Sequence, residues 1–183
     1  MYASQIFKCL KSNPLTSESF KGVYSADESP LQTVEDKKNK RFYIFNLSDS
    51  DEPGSHWIAI MKNPCPSLNF YFDSYGDPPP PDKPVIKNIL NCNYVFNPHQ
   101  LQSPFSTVCG QWCMFFIAEM CCGVPFSHMI QGFEKFRTFL EKDYVVNRFV
   151  FQVFQLQLDV IDRDFLLEQI QRSQEKLQYG RRS

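Results

Sequence analysis

The sequence predicts an α+β fold, in which an antiparallel sheet packs on helices around one buried central helix. Three observations carry this prediction. Strand-like runs alternate with Asp/Gly/Pro/Asn clusters in the first half of the chain, and helical periodicity fills the second half. Between them, the stretch from Cys109 to Cys122 is apolar on nearly every side, as expected for a helix inside a core.

Composition and charge are those of a folded globular protein. The chain has 183 residues, of which 43% are hydrophobic and 21% charged, and its 18 phenylalanines predict a Phe-rich core. We expect a single domain over residues 1–183, because this length suits one compact unit. A net charge of −1 argues against a protein whose main activity is to neutralise phosphates.

Targeting signals are not evident in the sequence. The stretch MYASQIFKCLKSNPLTSESF lacks the apolar segment of a signal peptide, and no window approaches about 18 consecutive apolar residues. We therefore expect a protein that is neither secreted nor membrane-bound. Its odd number of cysteines, 7, favours free thiols in a reducing compartment, most of them buried as small hydrophobes.

Short elements and turn-rich connections alternate at the start of the chain. A short amphipathic helix is predicted over Ser4–Lys11, with Ile6, Phe7 and Leu10 on one face. FKGVYSADESP is interpreted as a connection. EDKKNKR is interpreted as a solvated loop or hairpin tip, with nucleic-acid contact as the alternative.

Three runs rich in aromatic and β-branched residues predict an antiparallel meander: Phe42–Leu47, His56–Met61 and Leu68–Asp73. DPPPPDKP cannot form a helix or a central strand, so we predict a rigid polyproline spacer, with docking of a partner as the alternative. A short helix over Val85–Leu90 and a strand near Tyr94–Phe96 follow.

The second half of the chain is helical in pattern. The buried central helix is predicted over Cys109–Cys122, and another helix over Phe126–Leu140. Apolar residues from Val145 to Phe154 recur at helical spacing, but FVFQVFQLQL also alternates, so a strand there is the alternative. A final amphipathic helix is predicted over Asp162–Leu177.

His56 and Asp73 occupy matching ends of neighbouring predicted strands. In an antiparallel pair the start of one strand lies beside the end of the next, so the Asp73 carboxylate can fix the tautomer and orientation of the His56 imidazole. A chance pairing at the rim, with Asp73 simply opening a turn, is the alternative.

Cys109 is the candidate nucleophile. It lies at or near the N-terminus of the buried helix, where unpaired N–H groups and the helix dipole favour a thiolate over a thiol. With His56 as its base it would be an activated nucleophile, and the small Gly110 would let a substrate backbone approach. Cys113, one helical turn further on, is interpreted as a core residue.

Gln102 lies seven residues before Cys109 in LQSPFSTVCGQWC. An oxyanion in a tetrahedral intermediate needs at least two hydrogen-bond donors, which the Cys109 backbone N–H and a glutamine amide can supply. The turn at Ser103-Pro104 would bring Gln102 back over the helix terminus. An ordinary polar surface residue is the alternative interpretation of this glutamine.

The stretches GSHWIAI, FYFDSYG and LQSPFSTVCGQWC together resemble the adenovirus-type cysteine endopeptidases (adenain), whose wider clan includes the SUMO proteases. The resemblance implies a papain-like/adenain-like fold and a His-Asp-Cys triad. Cys109 would attack the scissile carbonyl and His56 would protonate the leaving amine. Asp73 would orient His56, while Gln102 and the Cys109 amide would hold the oxyanion. Trp57 would pack beside the site.

The flanking residues distinguish branches of this clan. Val108 before the nucleophile and the glutamine spacing resemble the adenoviral branch, whereas Asp73 is the carboxylate typical of SUMO proteases. Such a mixture suits proteases of adenovirus-like DNA viruses and of Maverick/Polinton transposons. The resemblance further implies activation by DNA and by a capsid-derived peptide, disulfide-linked to a cysteine for which Cys92 is the candidate.

We therefore expect a monomeric cysteine endopeptidase that cleaves viral or transposon capsid precursors at Gly-containing sites, in the host nucleus and virion. Trp57 and Gly110 would narrow its substrate channel. No metal and no required cofactor are expected. A ubiquitin-like-protein (SUMO-type) isopeptidase is the first alternative, since it would use the same residues. A zinc-binding or inactive interaction module is the second, although the sequence contains no CxxC pair.

Overall fold

The computed structural model describes residues 1–31, 39–64, 67–91 and 93–155. Within these ranges, five strands form one mixed sheet, and five helices lie around it. In chain order the elements are α1 (Ala3–Ser12), β1 (Phe20–Tyr24), β2 (Arg41–Asn46), β3 (Trp57–Lys62), β4 (Asn69–Phe72), α2 (Pro84–Leu90), β5 (Tyr94–Phe96), α3 (Cys109–Cys121), α4 (Phe126–Gln131) and α5 (Phe139–Phe154).

The centre of the sheet is the predicted antiparallel meander. Strands β2, β3 and β4 pair antiparallel in sequence order, with Ile44 opposite Ala59 and Ala59 opposite Phe72. The two edge strands, β1 and β5, pair parallel with their neighbours, which makes the sheet mixed. The predicted α+β class is confirmed.

The sheet is covered on both faces, so its central strands are buried on both sides. One face carries Phe42, Ile44 and Phe72 and packs on α1 and α3. The other face carries Tyr43 and Phe45 and packs on α2. Each face excludes aromatic area from water, which is the main stabilising term in such a core.

Helix α3 is the central helix. Trp112, Cys113 and Phe116 are completely buried, and the ring of Phe116 stacks on Phe72 with centroids 5.0 Å apart. A helix that is apolar all round requires partners on every side, and here the sheet, α1, α4 and α5 supply them. The helix is therefore a rigid base for the residue at its N-terminus, Cys109.

The edge strand β1 corrects the interpretation of FKGVYSADESP as a connection. Phe20, Val23 and Tyr24 favour a strand, but Lys21 and Gly22 interrupt them and a turn-rich stretch follows. Pairing with β2 nevertheless stabilises the strand, and the register shifts between Phe20 and Gly22 to accommodate an irregularity. Pairing with β2 thus makes a regular strand of a short stretch whose local pattern is mixed.

The single helix predicted over Phe126–Leu140 is also wrong, because the chain breaks there into α4 and α5. Gly132 ends α4, and Thr138 begins α5 with a capping box in which its hydroxyl accepts from the Glu141 N–H. The predicted helical spacing from Val145 to Phe154 is confirmed by α5, which ends at Phe154, and the strand alternative is wrong over these residues.

The remaining expectations concern the last predicted helix, the charged stretch EDKKNKR and the inward face of α1. The predicted helix over Asp162–Leu177 lies outside the described residues, as does most of EDKKNKR, although its last residue, Arg41, is buried in β2 rather than solvated. Phe7 is 45% exposed, so the inward face of α1 is made by Ile6 and Leu10. Among the helices that the structure describes, none has the length and apolarity needed to cross a membrane.

Candidate active site

Three elements bring the predicted catalytic residues together. His56 directly precedes β3, and Asp73 directly follows β4. Because β3 and β4 are antiparallel neighbours, these two positions lie at the same end of the sheet. Cys109 is the first residue of α3, whose N-terminus reaches that end.

The imidazole of His56 is held by a buried carboxylate. Its Nε2 lies 2.9 Å from Asp73 Oδ1, and the Asp73 side chain is 1% exposed. The same oxygen accepts from the Tyr75 backbone N–H at 2.7 Å. Asn97 fixes the Asp73 backbone, accepting from its N–H and donating to its carbonyl. The carboxylate therefore has one position, which sets the orientation of His56.

Cys109 is hydrogen-bonded to His56. Since Nε2 contacts Asp73, Nδ1 is the ring nitrogen that faces the thiol. Burial opposes ionisation of Cys109, but the hydrogen bond and positive charge of His56 outweigh it, with backbone N–H bonds from Trp57 and Gly110 adding to the effect. The pKa of Cys109 is consequently lowered.

His56 shows the complementary change. Burial alone would lower its pKa, but the hydrogen bonds and negative charges of Asp73 and Cys109 raise it to about 9, from an ordinary 6.5. A lowered thiol pKa and a raised imidazole pKa favour a thiolate–imidazolium pair at neutral pH. Cys113 contrasts with this, since complete burial raises the pKa of its thiol well above the usual value.

Gln102 is anchored to the turn that follows β4, beside Ser74 and Tyr75. Its backbone N–H donates to the Ser74 carbonyl at 2.9 Å, and its Oε1 accepts from the Ser74 hydroxyl at 2.7 Å. The side-chain Nε2 donates to the Ser106 carbonyl at 2.9 Å and lies 3.3 Å from the Tyr75 hydroxyl. The glutamine is completely buried, which rules out the surface-residue alternative.

Trp57 and Gly110 lie beside the nucleophile. Trp57 is half-buried and packs on the core. A Cβ on Gly110 would come within 3.0 Å of Ile6 Cδ1 and 3.5 Å of Trp57 Cδ1, so the glycine allows α1 and the indole to pack against the start of α3. The role of both residues in substrate binding stays a prediction.

Tyr75 is part of the site although the sequence patterns did not predict it. Its ring stacks on the His56 imidazole, with centroids 4.8 Å apart and 29° between planes, and its hydroxyl faces Gln102. The residue lies two positions after Asp73, within the FYFDSYG stretch already singled out. The sequence did offer a signal for this residue, because an aromatic side chain lies close to a catalytic candidate at the rim of the sheet.

Asp143, on α5, was also missed. Its carboxylate is buried and accepts from Trp112 Nε1 at 2.8 Å and from the Ser103 backbone N–H at 3.1 Å. Burial raises the pKa of Asp143 to about 6, against the lowering effect of these hydrogen bonds. The carboxylate thus links the helix of Cys109 to the loop of Gln102. An acidic residue on the apolar face of Val146 and Val150 was its sequence signal.

Metal binding finds no support in the part of the chain that the structure describes, where no group of three or more His, Cys, Asp and Glu side chains could hold an ion. The candidate activator cysteine, Cys92, lies outside the described residues. A separate concavity of about 430 Å³, lined by Phe70, Val95, Val124 and Phe126 among others, contains none of the catalytic candidates.

Sequence comparison gives a viral relative. No protein-family model matches the chain. A cysteine protease of African swine fever virus is 32% identical in an alignment 145 residues long, which covers 64% of this chain and 50% of the relative. The chain therefore spans about half the length of this curated relative.

Structure comparison gives the fold. The crystal structure of the African swine fever virus pS273R protease superposes with a TM-score of 0.50 at 18% identity, covering 82% of this chain and 66% of that one. A Se-Met crystal structure of the same protease covers 66% and 45%, with a TM-score of 0.44 at 22% identity. The predicted papain-like/adenain-like fold is confirmed, and the chain is similar in sequence and fold to a viral cysteine protease.

Proposed function

We propose that this chain is a cysteine endopeptidase with His56, Asp73 and Cys109 as its triad. One observation carries the proposal: His56 bridges a buried carboxylate and a thiol that begins a buried helix. This is the arrangement that an activated nucleophile needs, with a base in contact and a third group orienting the base. The similarity to a cysteine protease of African swine fever virus supports it.

The chemistry follows from the geometry. The Cys109 thiolate attacks the scissile carbonyl, the C–N bond breaks, and His56 Nδ1–H protonates the leaving amine. His56 then takes a proton from water as the water oxygen attacks the thioester, the C–S bond breaks, and the thiolate–imidazolium pair is restored. The backbone N–H of Cys109 donates to the oxyanion formed in both steps, and Gln102 contributes to the second donor site. Because the chain supplies every group, no metal or organic cofactor is needed in this scheme.

We propose precursor proteins as substrates, cleaved at Gly-containing sites. Trp57 lies beside the nucleophile, and Gly110 allows α1 to pack close to it, so a residue without a side chain would fit best next to the scissile bond. The carboxylate at Asp73, typical of SUMO proteases, favours a ubiquitin-like-protein isopeptidase as the second candidate. Linear Gly-Gly-X peptides and isopeptide-linked ubiquitin-like conjugates, tested side by side, distinguish the two. Activation by a peptide or by DNA belongs to the same proposal and is tested by adding each.

The first test needs no knowledge of the substrate. Iodoacetamide at pH 6 should modify Cys109 at least tenfold faster than the exposed Cys122, because an ordinary thiol with a pKa of about 8.5 is almost wholly protonated there. His56→Ala should remove this advantage, while His128→Ala, on α4, serves as the matched control. Equal rates at Cys109 and Cys122, both with and without DNA, would overturn the proposed function.

A further inference from the structure

Tyr75 contacts three of the four predicted catalytic residues, and the inference drawn from it rests on the proposed function. Its backbone N–H donates to Asp73 Oδ1 at 2.7 Å, and its ring stacks on His56 at a centroid distance of 4.8 Å. Its hydroxyl oxygen lies 3.3 Å from Gln102 Nε2. A residue that only packed against the rim of the sheet would not require a hydroxyl beside the Gln102 amide.

The hydroxyl is arranged to donate its own proton. Gln102 Nε2 carries no acceptor, so in this contact the Tyr75 oxygen must accept and its O–H hydrogen is left over. Within the described ranges, that hydrogen has no protein acceptor. The hydroxyl is protonated at neutral pH, since an ordinary tyrosine has a pKa of about 10. Burial raises the pKa of Tyr75 further, and negative charge on Cys109 and Asp143 adds to the effect.

The amide of Gln102 is engaged at both ends in the free protein. Its Oε1 accepts from Ser74, and its Nε2 donates to the Ser106 carbonyl as well as facing Tyr75. The amide cannot turn toward a substrate without breaking one of these contacts. The Tyr75 hydroxyl, by contrast, is polarised by the amide and has a hydrogen to give, as in a short cooperative chain of hydrogen bonds.

We propose that Tyr75 is a further catalytic residue, whose hydroxyl donates a hydrogen bond to the oxyanion of the tetrahedral intermediate. Gln102 acts on the oxyanion through this hydroxyl, and the Cys109 backbone N–H supplies the other donor. The ring of Tyr75 has a separate task, which is to hold the His56 imidazole in the plane that faces the thiol. The two tasks can be separated by substitution.

The test compares two reactions of Cys109 in Tyr75→Phe, which keeps the ring and removes the hydroxyl. Alkylation by iodoacetamide passes through no oxyanion, so its rate at pH 6 should stay within about twofold of wild type. Hydrolysis of a Gly-Gly-X peptide ester should lose about 10-fold to 1,000-fold in kcat with little change in KM, as when an oxyanion donor is removed. Binding of a Gly-Gly aldehyde, whose hemithioacetal oxygen mimics the oxyanion, should weaken in parallel.

Two further variants complete the experiment. Tyr94→Phe, the same change at an exposed position on β5, should leave all three readouts unchanged. Tyr75→Leu, which removes the ring as well, should slow the alkylation of Cys109 too, because His56 loses its stacking partner.

The outcomes are separable. If Tyr75→Phe hydrolyses the ester and binds the aldehyde like wild type, or loses alkylation to the same extent, the hydroxyl is no oxyanion donor and the inference fails alone. If wild-type Cys109 neither alkylates selectively nor binds the aldehyde, the proposed function fails, and the inference fails with it.

Discussion

Replacing Asp73 by asparagine isolates the charge of the carboxylate from its hydrogen bonds. The His56 Nε2 and the Tyr75 N–H both contact Oδ1, so the amide oxygen of Asn can keep both bonds while the negative charge is lost. The pKa of His56 is about 9 instead of 6.5, a difference that corresponds to roughly 3 kcal/mol in favour of the protonated imidazole. Part of this comes from Cys109, so we expect the His56 pKa to fall by at least about 1 in Asp73→Asn, which is about 1.4 kcal/mol.

The assay is an NMR titration of the imidazole resonances, which is tractable because the chain contains 3 histidines. Asp49→Asn is the matched control, since it removes the same charge from a surface pair with Lys83 at 2.8 Å. Stability gives a second readout. The raised His56 pKa contributes stability that is fully present below about 6.5 and lost as the pH rises through about 9. Unfolding free energies at pH 6 and pH 10 should therefore differ less in Asp73→Asn. A His56 pKa that stays near 9 would show that Asp73 is not its source, and would refute the reasoning.

Substitutions at three other positions test the surroundings of the triad. Gln102→Ala should lower kcat by about 100-fold to 1,000-fold. It should also lower the free energy of unfolding in urea by about 1–3 kcal/mol, because the buried partners of the amide are left unpaired. A wild-type kcat would contradict the role of Gln102 at the oxyanion. Asp143 carries a pKa of about 6 instead of 3.8, so its contribution to stability is fully present below about 3.8 and lost as the pH rises through about 6, a change of roughly 3 kcal/mol. Asp143→Asn should remove this pH dependence of the unfolding free energy between pH 4 and 7.5. An unchanged slope of unfolding free energy against pH in the variant would show that Asp143 is not its source. Gly110→Val should lower the free energy of unfolding by about 1–3 kcal/mol, because its side chain would overpack against α1. Gly110→Ala needs only a small shift of the Ile6 terminal methyl. Equal unfolding midpoints for the two variants would show that the contact between Gly110 and α1 is not tight.

The sequence was most informative where chemistry and topology coincide. His56 and Asp73 could be paired because the order of two antiparallel strands places the start of one beside the end of the other. Cys109 could be placed because the apolar run of α3 begins at that residue. In both cases a local pattern determines where a side chain lies.

Other parts of the site depend on contacts that no local pattern encodes. Asp143 is 34 positions after Cys109, and its partners are an indole and a backbone N–H, so no spacing rule connects them. Strand β1 depends on β2 as its partner, because its own five residues give only a short and mixed strand pattern. The direction in which the Gln102 amide donates depends on Ser106 and Tyr75, which become its neighbours only after folding.

The link that Asp143 makes has a consequence for how this site can change during evolution. The residue contacts no group that would react, yet it joins the nucleophile's helix, through Trp112, to the loop of Gln102, through Ser103. Mutations along α5 can therefore shift the spacing between nucleophile and oxyanion donor while every reacting residue stays the same. Lineages that keep the triad could in this way diverge in rate and selectivity through a helix that lies far along the chain from the chemistry.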